Sequence, residues 1–210
     1  MCIRDSNQLS DKINLTTHVE DVEAAVQAAG FSEFVLCGHS YGGMVITGVG
    51  DRLADSIAGI FYLDALLPED GQSVADISGF EPPEGFALTP FPVEIFGIAD
   101  PKMARWVSEM MTPHPMGTLT QKLRVTRAYA GIPRKIHLVS TGFRLRPGGL
   151  ENFRATPGNP IQLINERLSR EPGWTTVSTY TGHHVMLDDP ELVVSLLNLA
   201  ASPPPPYQLS

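Results

Sequence analysis

Phe34-Val35-Leu36-Cys37-Gly38-His39-Ser40-Tyr41-Gly42-Gly43 is the stretch on which the reading of this chain turns. Its first four residues are a short unbroken apolar run, the sign of a strand buried on both faces. Met44 to Leu53 then reads as a helix, with Gly48 and Gly50 permitting close packing. Between strand and helix lies Gly38-His39-Ser40-Tyr41-Gly42, which fits G-x-S-x-G. A nucleophilic serine needs its Oγ raised on a sharp strand-to-helix turn, and the flanking glycines Gly38 and Gly42 leave room for strained backbone and an incoming carbonyl. The first N–H groups of the helix, aided by its dipole, then face developing negative charge. Ser40 is the candidate nucleophile. His39, inside the turn, reads as a packed or hydrogen-bonded filler whose ring points away from Ser40.

Outward from this turn, Thr17 and Glu20 have the spacing of a capping box. Val19, Val22 and Val26 recur at helical spacing and Gly30 is a stop, which gives a helix over 18–29. Ile57 to Leu63 reads as a second buried strand, closed by Asp64; 135–140 and 175–180 are two further strand candidates. Asp189-Pro190 opens a last helix, with Asp at the N-cap and Pro at the first position, and its apolar body runs from Leu192 to Leu199. Such alternation implies an α/β fold, a mostly parallel sheet with helices on both faces. The pattern breaks over 68–132, where Pro and Gly are frequent and Met103, Trp106, Met110 and Met111 sit at roughly helical spacing. That segment reads as a cap or lid insertion between two halves of the core, 7–67 and 133–201. Its Met and Trp residues would form the inner face of a lid helix, and a lining for an apolar substrate is compatible with this. A proline-rich tail, 202–210, follows.

The 210 residues suit a single domain with a sizeable core, 42% of them hydrophobic. Fifteen basic against twenty-three acidic residues leave a net charge of −8, which argues against nucleic acid or an anionic membrane as partner. Two cysteines, Cys2 and Cys37, exclude a disulfide framework and a thiolate zinc cluster. No apolar run approaches the ~18 residues of a membrane span. Neither a cofactor nor a metal is expected. Residues 1–6 resemble the translation of a library-adapter sequence and are set aside; a natural N-terminus would then lie upstream, with the cytoplasm the default location.

A serine nucleophile needs a base from elsewhere in the chain. Thr181-Gly182-His183-His184 follows the last strand candidate; His183, directly after Gly182, is the first choice and His184 the alternative. His18, His114 and His137 read as surface or packing residues. The acid is less conventional. Between Asp100 and Asp188 the chain has no aspartate, and Glu151, Glu166 and Glu171 are the only carboxylates between strand 135–140 and His183. Asp64 closes an otherwise apolar strand, where a lone buried carboxylate costs several kcal/mol unless it is partnered. Asp64 is therefore the first candidate and Glu151 the second.

On these stretches, together with Phe61-Tyr62-Leu63-Asp64-Ala65-Leu66-Leu67-Pro68-Glu69-Asp70-Gly71-Gln72-Ser73 and Thr181-Gly182-His183-His184-Val185-Met186-Leu187, the chain resembles the α/β-hydrolase superfamily. The likeness is to small bacterial esterase-like members related to plant methylesterases and hydroxynitrile lyases. It implies Ser40 as nucleophile, a base (His183) from the loop after the last strand, Tyr41 as donor of one oxyanion-hole N–H, and no cofactor. Most members place the acid after the penultimate strand, so Asp64 is a departure. The family's first strands and its second oxyanion donor would precede Gln8, which predicts an exposed sheet edge and feeble turnover. Ester hydrolysis through an acyl-enzyme is the leading expectation, on a small hydrophobic ester suited to Phe80, Phe86, Phe91, Phe96, Trp106 and Met110. The alternatives are a hydroxynitrile-lyase-like reaction, with Lys102 or Lys122 as its lysine, and a non-catalytic small-molecule receptor.

Overall fold

The computed structural model describes residues 9–142 and 158–203; residues 1–6 and most of the proline-rich tail lie outside them. Helix α1 (Leu15–Ala29) starts three residues before the expected position. Asn14, a strong N-cap type, accepts the Thr17 N–H while the Thr17 hydroxyl accepts the Asn14 N–H. Thr17 thus sits on the third position of the box, and the earlier start lets Leu15 and His18 become buried. Gly30, at φ 67, ends the helix as expected.

Strand β1 (Phe34–Ser40), helix α2 (Gly42–Arg52) and strand β2 (Ile57–Ala65) follow in turn. The segment up to β5 carries α3 (Val74–Ser78), β3 (Ala87–Leu88), α4 (Pro101–Met110), β4 (His114–Pro115) and α5 (Met116–Thr120). The chain returns with β5 (Arg134–Ser140), α6 (Pro160–Leu168), β6 (Trp174–Thr179), α7 (Val185–Asp188) and α8 (Pro190–Ala201). In the described sheet β1, β2, β5 and β6 are parallel and stand in that order, while β3 and β4 form a separate antiparallel pair.

Both faces of the sheet are covered. Along β2, Ile60 and Tyr62 enter a core with α1, α2 and α6, whereas Phe61 and Leu63 enter another with α8. This period-two division explains why β2 is apolar throughout. β1 differs from expectation: Leu36 is buried, but Cys37 is exposed, because β1 is an edge strand of the described sheet. In α4 the expected inner face is also wrong. Val107 is the buried residue, and Trp106 and Met110 are 51% and 50% exposed. One turn apart on a helix, those two share the face turned away from the body of the protein. Phe86 is likewise exposed, while Phe80 packs with Met116 and Leu119. Among the described residues no helix is long and apolar enough to cross a membrane.

Candidate active site

Two backbone kinks at the same end of neighbouring strands build the site. His39 pairs with Leu63, but the next residue, Ser40, pairs with Ala65. Asp64 is therefore the extra residue of a β-bulge, a device that re-aims a side chain at a strand end. Asp64 has φ 42 and Ser40 φ 57, left-handed values that cost non-glycine residues about 1–3 kcal/mol each and persist only where the surroundings enforce them. Part of the enforcement is a bond from the Leu66 N–H to the Ser40 carbonyl, 3.1 Å. Packing demands two glycines here. A Cβ on Gly38 would lie 2.6 Å from the Gly42 carbonyl oxygen, and one on Gly43 would lie 1.9 Å from that of Leu66. Gly42, which completes the G-x-S-x-G pattern, faces open space instead. α2 starts at Gly42 with no side chain capping it, and the Met44 N–H donates to the Tyr41 carbonyl at 2.9 Å.

The loop after β6 brings His183 to this corner. Its Nδ1 lies 2.6 Å from Asp64 Oδ2 and its Nε2 lies 2.8 Å from Ser40 Oγ. A carboxylate only accepts, so Nδ1–H donates to Asp64 and the bare Nε2 accepts from the serine hydroxyl. Asp64 is 0% and His183 6% exposed. The other carboxylate oxygen, Oδ1, accepts the Ser140 N–H at 2.8 Å. Glu151, the second candidate for the acid, lies outside the described residues. His184, the alternative base, packs instead against His39 and Phe96, ring centroids 5.1 and 5.0 Å away. His39 lies beside His183, ring centroids 4.5 Å apart, and its Nε2–H donates to the His183 carbonyl at 2.8 Å.

Several supporting contacts went unseen in the sequence. The Phe96 carbonyl accepts the His183 N–H at 2.8 Å, and the Phe96 ring stacks 5.7 Å from the imidazole. Asp188 accepts from the Gly182 N–H, 2.9 Å, and the Ala99 N–H, 3.1 Å, tying the histidine loop to the segment before α4. The tie is close: a Cβ on Gly182 would stand 2.4 Å from the Gly97 carbonyl oxygen. His137 is buried and neutral, its Nε2–H donating to the Ala65 carbonyl at 3.0 Å while Nδ1 accepts from Asn165 at 3.0 Å. His18 is also buried, Nδ1 2.9 Å from the Tyr41 hydroxyl, and the His114 ring lies 4.9 Å from the Tyr41 ring. His18 and His137 are buried packing residues, and His114 is half-buried against Tyr41, as the packing reading expected. Lys122 pairs with Asp76 at 3.5 Å, on the protein's exterior. Among the described residues no three His, Cys, Asp or Glu side chains are placed to hold a metal ion.

Burial pushes the Asp64 carboxyl up, against the pull of the Ser140 N–H, and pushes the His183 imidazole down. The two touch, so their first added proton belongs to the pair. That proton takes away the arrangement in which His183 Nε2 accepts from the Ser40 hydroxyl, so activity is expected to fall as pH drops. Since burial resists the charge it would place on the imidazole, the acidic limb of kcat/KM is expected below 6.5, the ordinary histidine value. A kcat/KM profile against pH checks this; a midpoint at or above 7 contradicts it.

Comparison with known proteins decides the family. The model of the α/β-hydrolase family matches residues 9–196. The chain belongs to the α/β-hydrolase family. A carbendazim hydrolyzing esterase from Nocardioides sp. (strain SG-4G) is 30% identical over 198 residues, covering 86% of this chain and 76% of that relative. Two solved structures share the fold. One is an extracellular α/β-hydrolase from a Paenibacillus species, described as structurally and functionally homologous to tobacco salicylic acid binding protein 2 (24% identity, TM-score 0.65, covering 91% of this chain and 81% of that one). The other is a methylesterase from Arabidopsis (17% identity, TM-score 0.64, 93% and 80%). This α/β hydrolase is carboxylesterase-like.

Proposed function

We propose that this α/β hydrolase cleaves small hydrophobic carboxylic esters through an acyl-enzyme on Ser40, with His183 as base and Asp64 as acid. The reading rests on one observation, the unbroken chain Asp64–His183–Ser40 at 2.6 and 2.8 Å. Ser40 Oγ attacks the ester carbonyl as its proton passes to His183 Nε2, and the imidazolium is stabilised by Asp64. The tetrahedral oxyanion accepts from the Tyr41 N–H at the start of α2. Collapse expels the alcohol, which takes the Nε2 proton. Water, deprotonated in turn by His183, then attacks the acyl carbonyl and frees the acid and Ser40. Residues 68–132 act as the cap: Phe96 lies against the base, and the side chain of Tyr41 packs with the apolar group of Phe80, Met116 and Leu119. That apolar surrounding suits an uncharged acyl or alkyl group.

A fluorophosphonate probe tests the reading. Only an activated hydroxyl attacks its phosphorus and expels fluoride, so the expected result is a stable adduct on the Ser40 peptide, accompanied by release of p-nitrophenol from short p-nitrophenyl esters. A folded protein that neither takes the label nor turns over these esters refutes it.

A further inference from the structure

The backbone of His183 is held at both its polar groups. From the cap side, the Phe96 carbonyl accepts its N–H; from the elbow side, His39 donates to its carbonyl, each bond 2.8 Å. Only the second links the imidazole to the turn that carries the nucleophile, because His39 immediately precedes Ser40. A carbonyl oxygen can only accept, so His39 donates through Nε2–H, and burial disfavours charge on its ring. Its ring also fills the space between His183 and His184, at 4.5 and 5.1 Å. We infer that His39 is a positioning residue, a strut from the nucleophile's own turn to the main chain of the base, which fixes the distance from His183 Nε2 to Ser40 Oγ. The inference rests on the proposed roles of Ser40 and His183.

The strut works through geometry, so its loss acts on the chemical step. A reacting pair displaced by about 1 Å loses on the order of 100-fold in rate. Two substitutions separate reach from polarity. His39→Gln sets an amide N–H near the place of Nε2, whereas His39→Asn is one methylene shorter and leaves the His183 carbonyl without its donor. The expected result is a kcat about 10- to 100-fold lower for His39→Asn, with KM within about threefold. His39→Gln is expected to recover most of that loss, to within about fivefold of the parent. Rates are taken per folded molecule, the folded fraction being read by circular dichroism. Equal rates for the two variants, whether both low or both parental, overturn the strut, as does a loss confined to KM. Ser40→Ala run alongside keeps the two ideas apart: if it retains turnover, the site assignment fails, whereas if it is dead and His39→Asn is parental, only the strut fails.

Discussion

Ser40→Ala is expected to bring ester turnover to background, a fall of as much as about 10⁵- to 10⁶-fold in kcat, the scale on which removing a serine nucleophile acts elsewhere. The same substitution is expected to leave folding almost untouched. Alanine keeps the Cβ that serine already places at φ 57, so the backbone strain does not change. The Ser40 carbonyl that holds the Leu66 N–H is untouched, and so are the close approaches of Gly38 and Gly43 that enforce the turn. What disappears is one hydroxyl, and with it the proton donor to His183 Nε2. The measurement is kcat on a p-nitrophenyl ester together with the thermal midpoint. Retention of more than about 1% of the activity, where nucleophile loss costs so much more, would move the chemistry away from this corner.

How much could be read from the chain follows from how local each determinant is. The elbow is local: five consecutive residues between an apolar run and a helix define it, and the family model matches a span around it. The parallel α/β sheet was legible too, since β2 is apolar over nearly its whole length and the last helix, α8, opens on its own Asp189-Pro190 cap. The start of α1 was missed because two hydroxyl- or amide-bearing residues three apart compete for the cap, and burial of Leu15 and His18 favours Asn14. The exposed face of α4 was missed for the opposite reason. Apolar periodicity puts Met103, Trp106, Val107 and Met110 on one broad stripe, but does not say which edge of it meets the protein: Val107 is buried and Trp106 and Met110 are exposed. The carboxylate of Asp64 drew notice because a charge in an apolar strand needs a partner. The bulge that delivers it was invisible, since a register shift exists only between β1 and β2. Phe96 and Ser140 contribute a main-chain carbonyl and a main-chain N–H, which any residue type could supply.

Asp64→Asn is expected to lower kcat by about 10⁴-fold, as a reversed tautomer does in a Ser-His-Asp site, with little cost to folding. The amide is nearly isosteric with the carboxyl, and the question is which way it turns. At Oδ1 the Ser140 N–H, 2.8 Å away, donates and requires an acceptor. The amide oxygen must therefore take that position, which sends the NH₂ group to the place of Oδ2, 2.6 Å from His183 Nδ1. There it can only donate, so Nδ1 gives up its proton and becomes the acceptor. The neutral imidazole then carries its hydrogen on Nε2, opposite the Ser40 hydroxyl, and no lone pair remains to receive the serine proton. Nitrogen-15 shifts of the His183 ring report this reversal directly, and kcat reports its consequence. A variant that keeps its activity within tenfold, or an imidazole still protonated at Nδ1, would separate Asp64 from the chemistry and leave it a buried structural carboxylate.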